Sequence, residues 1–211
     1  MAKKRSAKWK AWNKGLVLGQ KDAFTPDQVK RIRRMLARRG GSGLRDLSLF
    51  SVAIDTMLQG PELLSLTVKD VRRSDGRIRS VIEVTRRRQM PSVRCALSKV
   101  SASALGKWIT ASGKKRTDYI FSGRRDRSRP MTGRQLSRLL TLWISEAGLN
   151  PKKYGIESLR RTKAFHIFNG TSDLEAVRVL LGHSKLESTA RYLLRMPKRS
   201  DPIAISQAFD I

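Results

Sequence analysis

Residues 158–193 read SLRRTKAFHIFNGTSDLEAVRVLLGHSKLESTARYL, and the order of residue types along this stretch decides how the chain is understood. Ser172 with Glu175, and Ser184 with Glu187, repeat the capping-box spacing of a helix start. The stretch therefore predicts successive helices. Arg160 sits on one, His183 in the Gly182-His183-Ser184 turn before another, and Tyr192 on the next.

Those three side chains form a chemically coherent set. The planar fork of Arg160 can brace two oxygens of a phosphate, and His183 can donate to another. Tyr192 carries a hydroxyl able to attack phosphorus and form a phosphotyrosine link. Such a link conserves phosphodiester energy, so neither a metal nor any other cofactor is expected. Taken singly, each residue has a plainer reading: a surface arginine, a packed tyrosine, a histidine in a cap. His166 is not a substitute for His183, because six residues beyond Arg160 it points about 240° around the helix.

Working outward, the helical period extends back to Ser101, with Thr132 and Gln135 forming another capping-box pair. Four or more helices are expected in the second half. Between Arg77 and Leu97 the period changes to two: Val81, Ile82 and Val84, then Val93 and Cys95, separated by the basic stretch Arg86 to Pro91. This predicts a small antiparallel β element with a basic turn. Earlier still, Thr25, Pro26 and Gln28 signal a helix start, and that helix is expected to end near Gly40, Gly41 and Gly43. A second helix is expected from about Leu44 to Leu58, presenting Leu47, Phe50, Ile54, Met57 and Leu58, and Pro61 opens a short turn with Leu63, Leu64 and Leu66. The fold class is mainly α with a small antiparallel β-sheet. Residues 1–24 read as a basic flexible arm whose Trp9 and Trp12 dock on the domain or stack near DNA; 25–200 form the domain; 201–211 are a C-terminal segment.

Charge points to the partner. The 211 residues carry 45 Lys and Arg against 17 Asp and Glu, a net charge of +28. A surplus of that size repels itself in a compact fold and is normally offset by a polyanion. Nucleic acid is the partner expected, since phosphate contacts favour dense Lys and Arg. A solvated basic surface, or a ribosome-associated or membrane-surface protein, would also carry such charge. Cys95 is the single cysteine, which excludes an internal disulfide framework and fits a reducing cytoplasm. With only His166, His183 and one thiol, a structural zinc site is not expected. No apolar run approaches the ~20 residues of a membrane span, and the basic start lacks the apolar stretch of a secretory signal. A soluble intracellular protein is expected.

The set Arg160, His183 and Tyr192, in this order and spacing, resembles the final boxes of the tyrosine recombinase (phage integrase) family. The similarity continues upstream. Residues 45–71, RDLSLFSVAIDTMLQGPELLSLTVKDV, resemble the family's first box, and residues 86–98, RRRQMPSVRCALS, resemble the hairpin that carries its active-site lysine. The resemblance covers roughly residue 25 to the C-terminus. It implies the integrase catalytic-domain fold in a short form without the core-binding domain. It also implies site-specific DNA recombination or integration with Tyr192 as nucleophile, Arg160 as a clamp arginine and His183 as a phosphate-contacting histidine. Duplex DNA is the implied partner, with a tetramer assembling on it through residues 202–211; no small-molecule substrate is implied. The expected place is the cytoplasm, at the nucleoid.

Three positions depart from the family pattern. Thr56-Met57-Leu58-Gln59-Gly60-Pro61-Glu62-Leu63 puts Gln59 where the first box has arginine. Glu157-Ser158-Leu159-Arg160 puts Glu157 where the second box has histidine. Arg88 stands at the hairpin lysine, keeping the charge but acting poorly as an acid because guanidinium holds its proton. Gln59 leaves a neutral donor in place of a cation, and a carboxylate at Glu157 repels phosphate oxygens. The expectation is therefore a recombinase of reduced activity, or a catalytically inactive descendant that serves as a regulator or accessory factor. Arg86, Arg87, Arg161, Lys163 and Lys185 are the expected DNA-backbone contacts. An RNA-binding protein would match the charge but gives no reason for the order of Arg160, His183 and Tyr192.

Overall fold

The computed structural model describes residues 20–85, 92–123 and 126–194. Its centre is a helix wrapped on all sides. Before it, Thr25 and Gln28 close a full capping box at the start of α1 (Pro26–Ala37), which buries Val29, Ile32 and Leu36 along one stripe. The central helix, α2 (Gly41–Thr56), buries Leu49, Phe50, Val52, Ala53 and Ile54, as a helix surrounded by other elements must. It begins at Gly41, three residues earlier than the sequence suggests. Gly43 is consequently inside the helix, and its missing side chain makes room: a Cβ there would lie 2.8 Å from Arg39 Cβ and closer still to the Leu36 carbonyl.

Two carboxylates buried on α2 are held by donors. Asp46 accepts from Trp143 Nε1 at 3.1 Å and from Arg45 Nε at 2.9 Å. Asp55 accepts from the Ser98 backbone N–H at 2.8 Å and faces Arg33 at 3.5 Å. Buried charges persist only when paired in this way.

Short helices α3 (Gly60–Leu64) and α4 (Val68–Val71) lead to a hairpin of β1 (Val81–Val84) and β2 (Val93–Ala96). The strands pair antiparallel, Ile82 opposite Cys95 and Val84 opposite Val93. Those four side chains face the core, whereas Val81, the first of the apolar residues read in this run, points to solvent. Next come α5 (Lys99–Ser112) and α6 (Gly133–Glu146), the latter opened by the Thr132–Gln135 capping box. The chain finishes the described region with α7 (Ile156–Thr171), α8 (Leu174–Leu181) and α9 (Leu186–Leu194). Ser172 is not the start of α8: it adopts a left-handed conformation (φ 54°) that ends α7, and Asp173 caps α8 by accepting from Ala176 N–H.

Two apolar clusters result. The larger gathers α1, α2, the hairpin, α5 and α6. A smaller one joins Met57, Ala164, Val177, Leu181 and Leu193, with Tyr192 packed against it. Met57 is left-handed (φ 52°), a costly state for a side chain with Cβ. It turns the chain out of α2 while plugging its side chain into the second cluster. Residues 20–24 run along this assembly, with Phe24 fully buried against Phe50 and Tyr154. Among the described residues, no helix is long and apolar enough to cross a membrane.

Candidate active site

The seam between the two clusters holds the chemistry. Helix α7 is covered on more than one side, so consecutive residues from Ser158 to Thr162 are all buried. Arg160 is 3 % exposed. Its Nη2 donates to the Leu181 carbonyl at 2.9 Å and lies 3.5 Å from His183 Nε2. Its Nη1 is buried without a hydrogen-bond partner among the described residues. A buried unpaired guanidinium nitrogen is costly, and it gives the seam an unmet demand for an anion.

His183 follows Gly182, whose left-handed backbone (φ 62°) ends α8 and turns the chain back on itself. Arg178, ion-paired with Glu175, donates to the His183 carbonyl at 2.7 Å and fixes this turn. On the imidazole, Nδ1 lies 3.0 Å from the hydroxyl of the fully buried Thr189. Because a guanidinium only donates, both contacts are met in the neutral ring when Nε2 accepts from Arg160 and Nδ1–H donates to the Thr189 hydroxyl.

Tyr192 projects from α9 onto the same spot. Its ring meets the His183 ring edge to face at 5.7 Å. The guanidinium carbon of Arg160 is 6.0 Å from the ring centroid and that of Arg161 4.7 Å. The Tyr192 hydroxyl reaches the Glu157 carbonyl and carboxylate, each at 3.4 Å. Burial pushes the phenol's pKa well above the usual tyrosine range, and the Glu157 charge pushes it the same way. Arg160 and Arg161 oppose both.

The structure thus brings Arg160, His183, Tyr192 and Glu157 together. Gln59 stands at the entrance to α3, where its backbone N–H donates to Glu62 at 2.8 Å. It lines, with Glu157, Pro130 and Ile156, a groove of about 640 Å³. Two of the three positions that depart from the family pattern, Gln59 and Glu157, therefore line the same groove.

The expected DNA contacts separate. Arg161 is 6 % exposed and donates to the Lys21 carbonyl, with its guanidinium over the Tyr192 ring. Lys163 is half-buried and donates to the Asp55 carbonyl near the end of α2, at 2.8 Å. Lys185 is exposed just ahead of α9. Arg86, Arg87 and Arg88 lie outside the described residues. His166, set apart by its helical phase, bonds the Phe24 carbonyl through Nε2 at 2.8 Å. Sequence reading missed Thr189 as the partner of His183 and Arg161 as the partner of Tyr192. Among the described residues there is no group of His, Cys, Asp and Glu able to hold a metal.

Comparison with known proteins adds the following. The family model described as the phage integrase family matches residues 22–198. The tyrosine recombinase XerD of Shewanella oneidensis is 28% identical over 171 residues, covering 81% of this chain and 56% of that protein. The chain thus spans little more than half the length of this relative. The structure of the XerH site-specific recombinase bound to its difH substrate, in a pre-cleavage complex, superposes with a TM-score of 0.66 at 19% identity. It covers 81% of this chain and 49% of that one. The catalytic domain of bacteriophage HP1 integrase superposes with a TM-score of 0.57 at 16% identity, covering 89% of this chain and 95% of that one.

Proposed function

Because this chain belongs to the phage integrase family, the tyrosine recombinases, we propose that it binds duplex DNA and acts in site-specific recombination or integration through Tyr192. The observation that carries this reading is the buried Nη1 of Arg160, unpaired beside His183 and Tyr192. A DNA phosphate seated there takes one hydrogen bond from Nη1 and, once His183 carries a proton on Nε2, a second from the imidazole. Tyr192 Oη then attacks phosphorus; its proton passes to the Glu157 carboxylate or to water. The bond to the leaving oxygen breaks, that oxygen takes up a proton from solvent, and a phosphotyrosine remains.

Two features slow this chemistry. Gln59 supplies a neutral amide where a cation would face the developing phosphorane, and loss of one preorganised donor costs roughly 10²–10³ in rate. Glu157 presents a carboxylate to the same phosphate while its contact with Tyr192 occupies the nucleophile. That contact also favours a second reading, in which the chain binds DNA without cutting it, as a regulator or accessory factor. Lys163 and Lys185 serve as backbone contacts in either case; the family resemblance assigns the same role to Arg86 and Arg87 and puts Arg88 at the position of the hairpin lysine. Assembly as a tetramer on DNA, with residues 201–211 docking on a neighbouring protomer, completes the proposal, and the place of action is the nucleoid.

The experiment compares the native chain with Gln59→Arg, Glu157→His for binding and for cleavage of the same duplex. Cleavage should rise much more than affinity. If the two rise together, the altered positions serve DNA affinity and not the chemistry. Binding to RNA tighter than to duplex at every salt concentration would remove the partner on which the proposal depends.

A further inference from the structure

We propose that Arg161 is a positioning residue for the nucleophile: its guanidinium seats the Tyr192 ring and favours negative charge on the phenol oxygen. The proposal rests on Tyr192 being the nucleophile, but its test does not require DNA cleavage.

Arg161 lies buried against the nucleophile's ring. It is as buried as the core side chains around it, and its guanidinium carbon stands 4.7 Å from the Tyr192 ring centroid, closer than that of Arg160. A cation at this distance over an aromatic face is held by the ring's quadrupole. As charge moves onto the phenol oxygen, the same cation attracts it more strongly. Its Nε is buried without a hydrogen-bond partner among the described residues, and its Nη1 is bonded to a neutral carbonyl.

The head of Arg161 is aimed by chain far away in sequence. Its Nη1 donates to the Lys21 carbonyl. The segment carrying that carbonyl is itself fastened: Phe24 N–H donates to Thr162 Oγ1 at 3.0 Å, and Asp22 N–H to the Lys153 carbonyl at 2.8 Å. Gln20 reaches across to the Arg191 carbonyl at 3.0 Å, next to Tyr192 itself. Residues 20–24 therefore bridge α7 and α9 and hold the cation and the phenol in register.

The charged and titratable groups facing Tyr192 are Glu157, Arg160 and Arg161 from α7 and His183 from the turn before α9. Burial and Glu157 raise the phenol's pKa, and Arg161 acts with Arg160 in the opposite direction.

The test is the rate at which N-acetylimidazole acetylates Tyr192 in the intact chain at mildly alkaline pH, read by peptide mass mapping. Tyr119, which has no contact with residues 20–24, is the internal reference. Arg161→Met keeps the aliphatic stem and removes the charge, and Arg161→Gln keeps a donor for Lys21, so one stands in if the other does not melt cooperatively. Either variant should slow acetylation of Tyr192 several-fold, because less phenolate is present at a given pH, with the Tyr119 reference unchanged. Arg161→Lys should stay near the native rate. If Arg161 merely covers the ring, its loss uncovers the hydroxyl and the rate rises. A rate that rises or does not change overturns the proposal, while the recombinase reading is decided separately by a covalent adduct with DNA.

Discussion

Replacing Tyr192 with phenylalanine should make the protein less sensitive to alkali, and the size of the effect follows from where the hydroxyl sits. Burial and the neighbouring Glu157 raise the pKa of the folded phenol above that of a free tyrosine, near 10. A group whose folded pKa is raised contributes stability that is fully present below its unfolded pKa and is lost as pH climbs toward the folded value. From about pH 9 to about pH 11 the unfolded Tyr192 ionises while the folded one keeps its proton. The native chain therefore loses ~1 kcal/mol on this account alone. At roughly 2–4 °C per kcal/mol for a chain of this size, Tyr192 adds about 2–4 °C to the alkaline fall in Tm. Tyr119 and Tyr154 are common to both chains and cancel. Thermal melts of native protein and Tyr192→Phe at the two pH values give the comparison directly. Equal falls in Tm would show that the phenol titrates like an exposed one, and the buried seam described here would be wrong.

Other predictions test the scaffold and the partner. Gly43→Ala should lower stability by about 1–3 kcal/mol, because the added methyl collides with Arg39 and the Leu36 carbonyl. Gly170→Ala, on α7 with nothing within 4 Å, should be neutral or stabilising by up to about 1 kcal/mol. Denaturant melts separate the two, and a stabilising Gly43→Ala would mean the helices do not approach as described. Duplex affinity should fall steeply with salt, and Lys185→Ala should reduce the log–log slope by about 0.9; filter binding over a salt series measures it, and an unchanged slope removes Lys185 from the interface.

How much of this was legible in advance depends on the distance over which each feature is determined. The capping boxes at Thr25 and Thr132 and the alternation through Val81, Ile82 and Val84 are local, and the structure keeps them. The glycines ahead of α2 look like breakers. Gly43 is instead a helix residue whose small size is set by a neighbouring helix. Ser172 and Asp173 are both good caps, and the left-handed end of α7 at Ser172 passes the role to Asp173. In the site, Arg160, His183 and Tyr192 announce themselves by order and spacing within one stretch. Arg161 does not: its partner at Lys21 is 140 residues away, so no local pattern distinguishes it from a surface cation. Thr189 is equally silent, being one more small polar residue on a short helix until it is found buried against His183.

The central claim is that Tyr192 can form a covalent bond to DNA within this altered cluster. A suicide duplex, nicked so that a cleaved strand is trapped, tests it most directly, using DNA that flanks the gene and a denaturing gel to detect the adduct. The native chain should give a slow adduct that disappears in Tyr192→Phe and forms faster in the Gln59→Arg, Glu157→His double variant. No adduct from the native chain on DNA that the double variant does cut would contradict the claim and leave a DNA-binding protein on a recombinase fold.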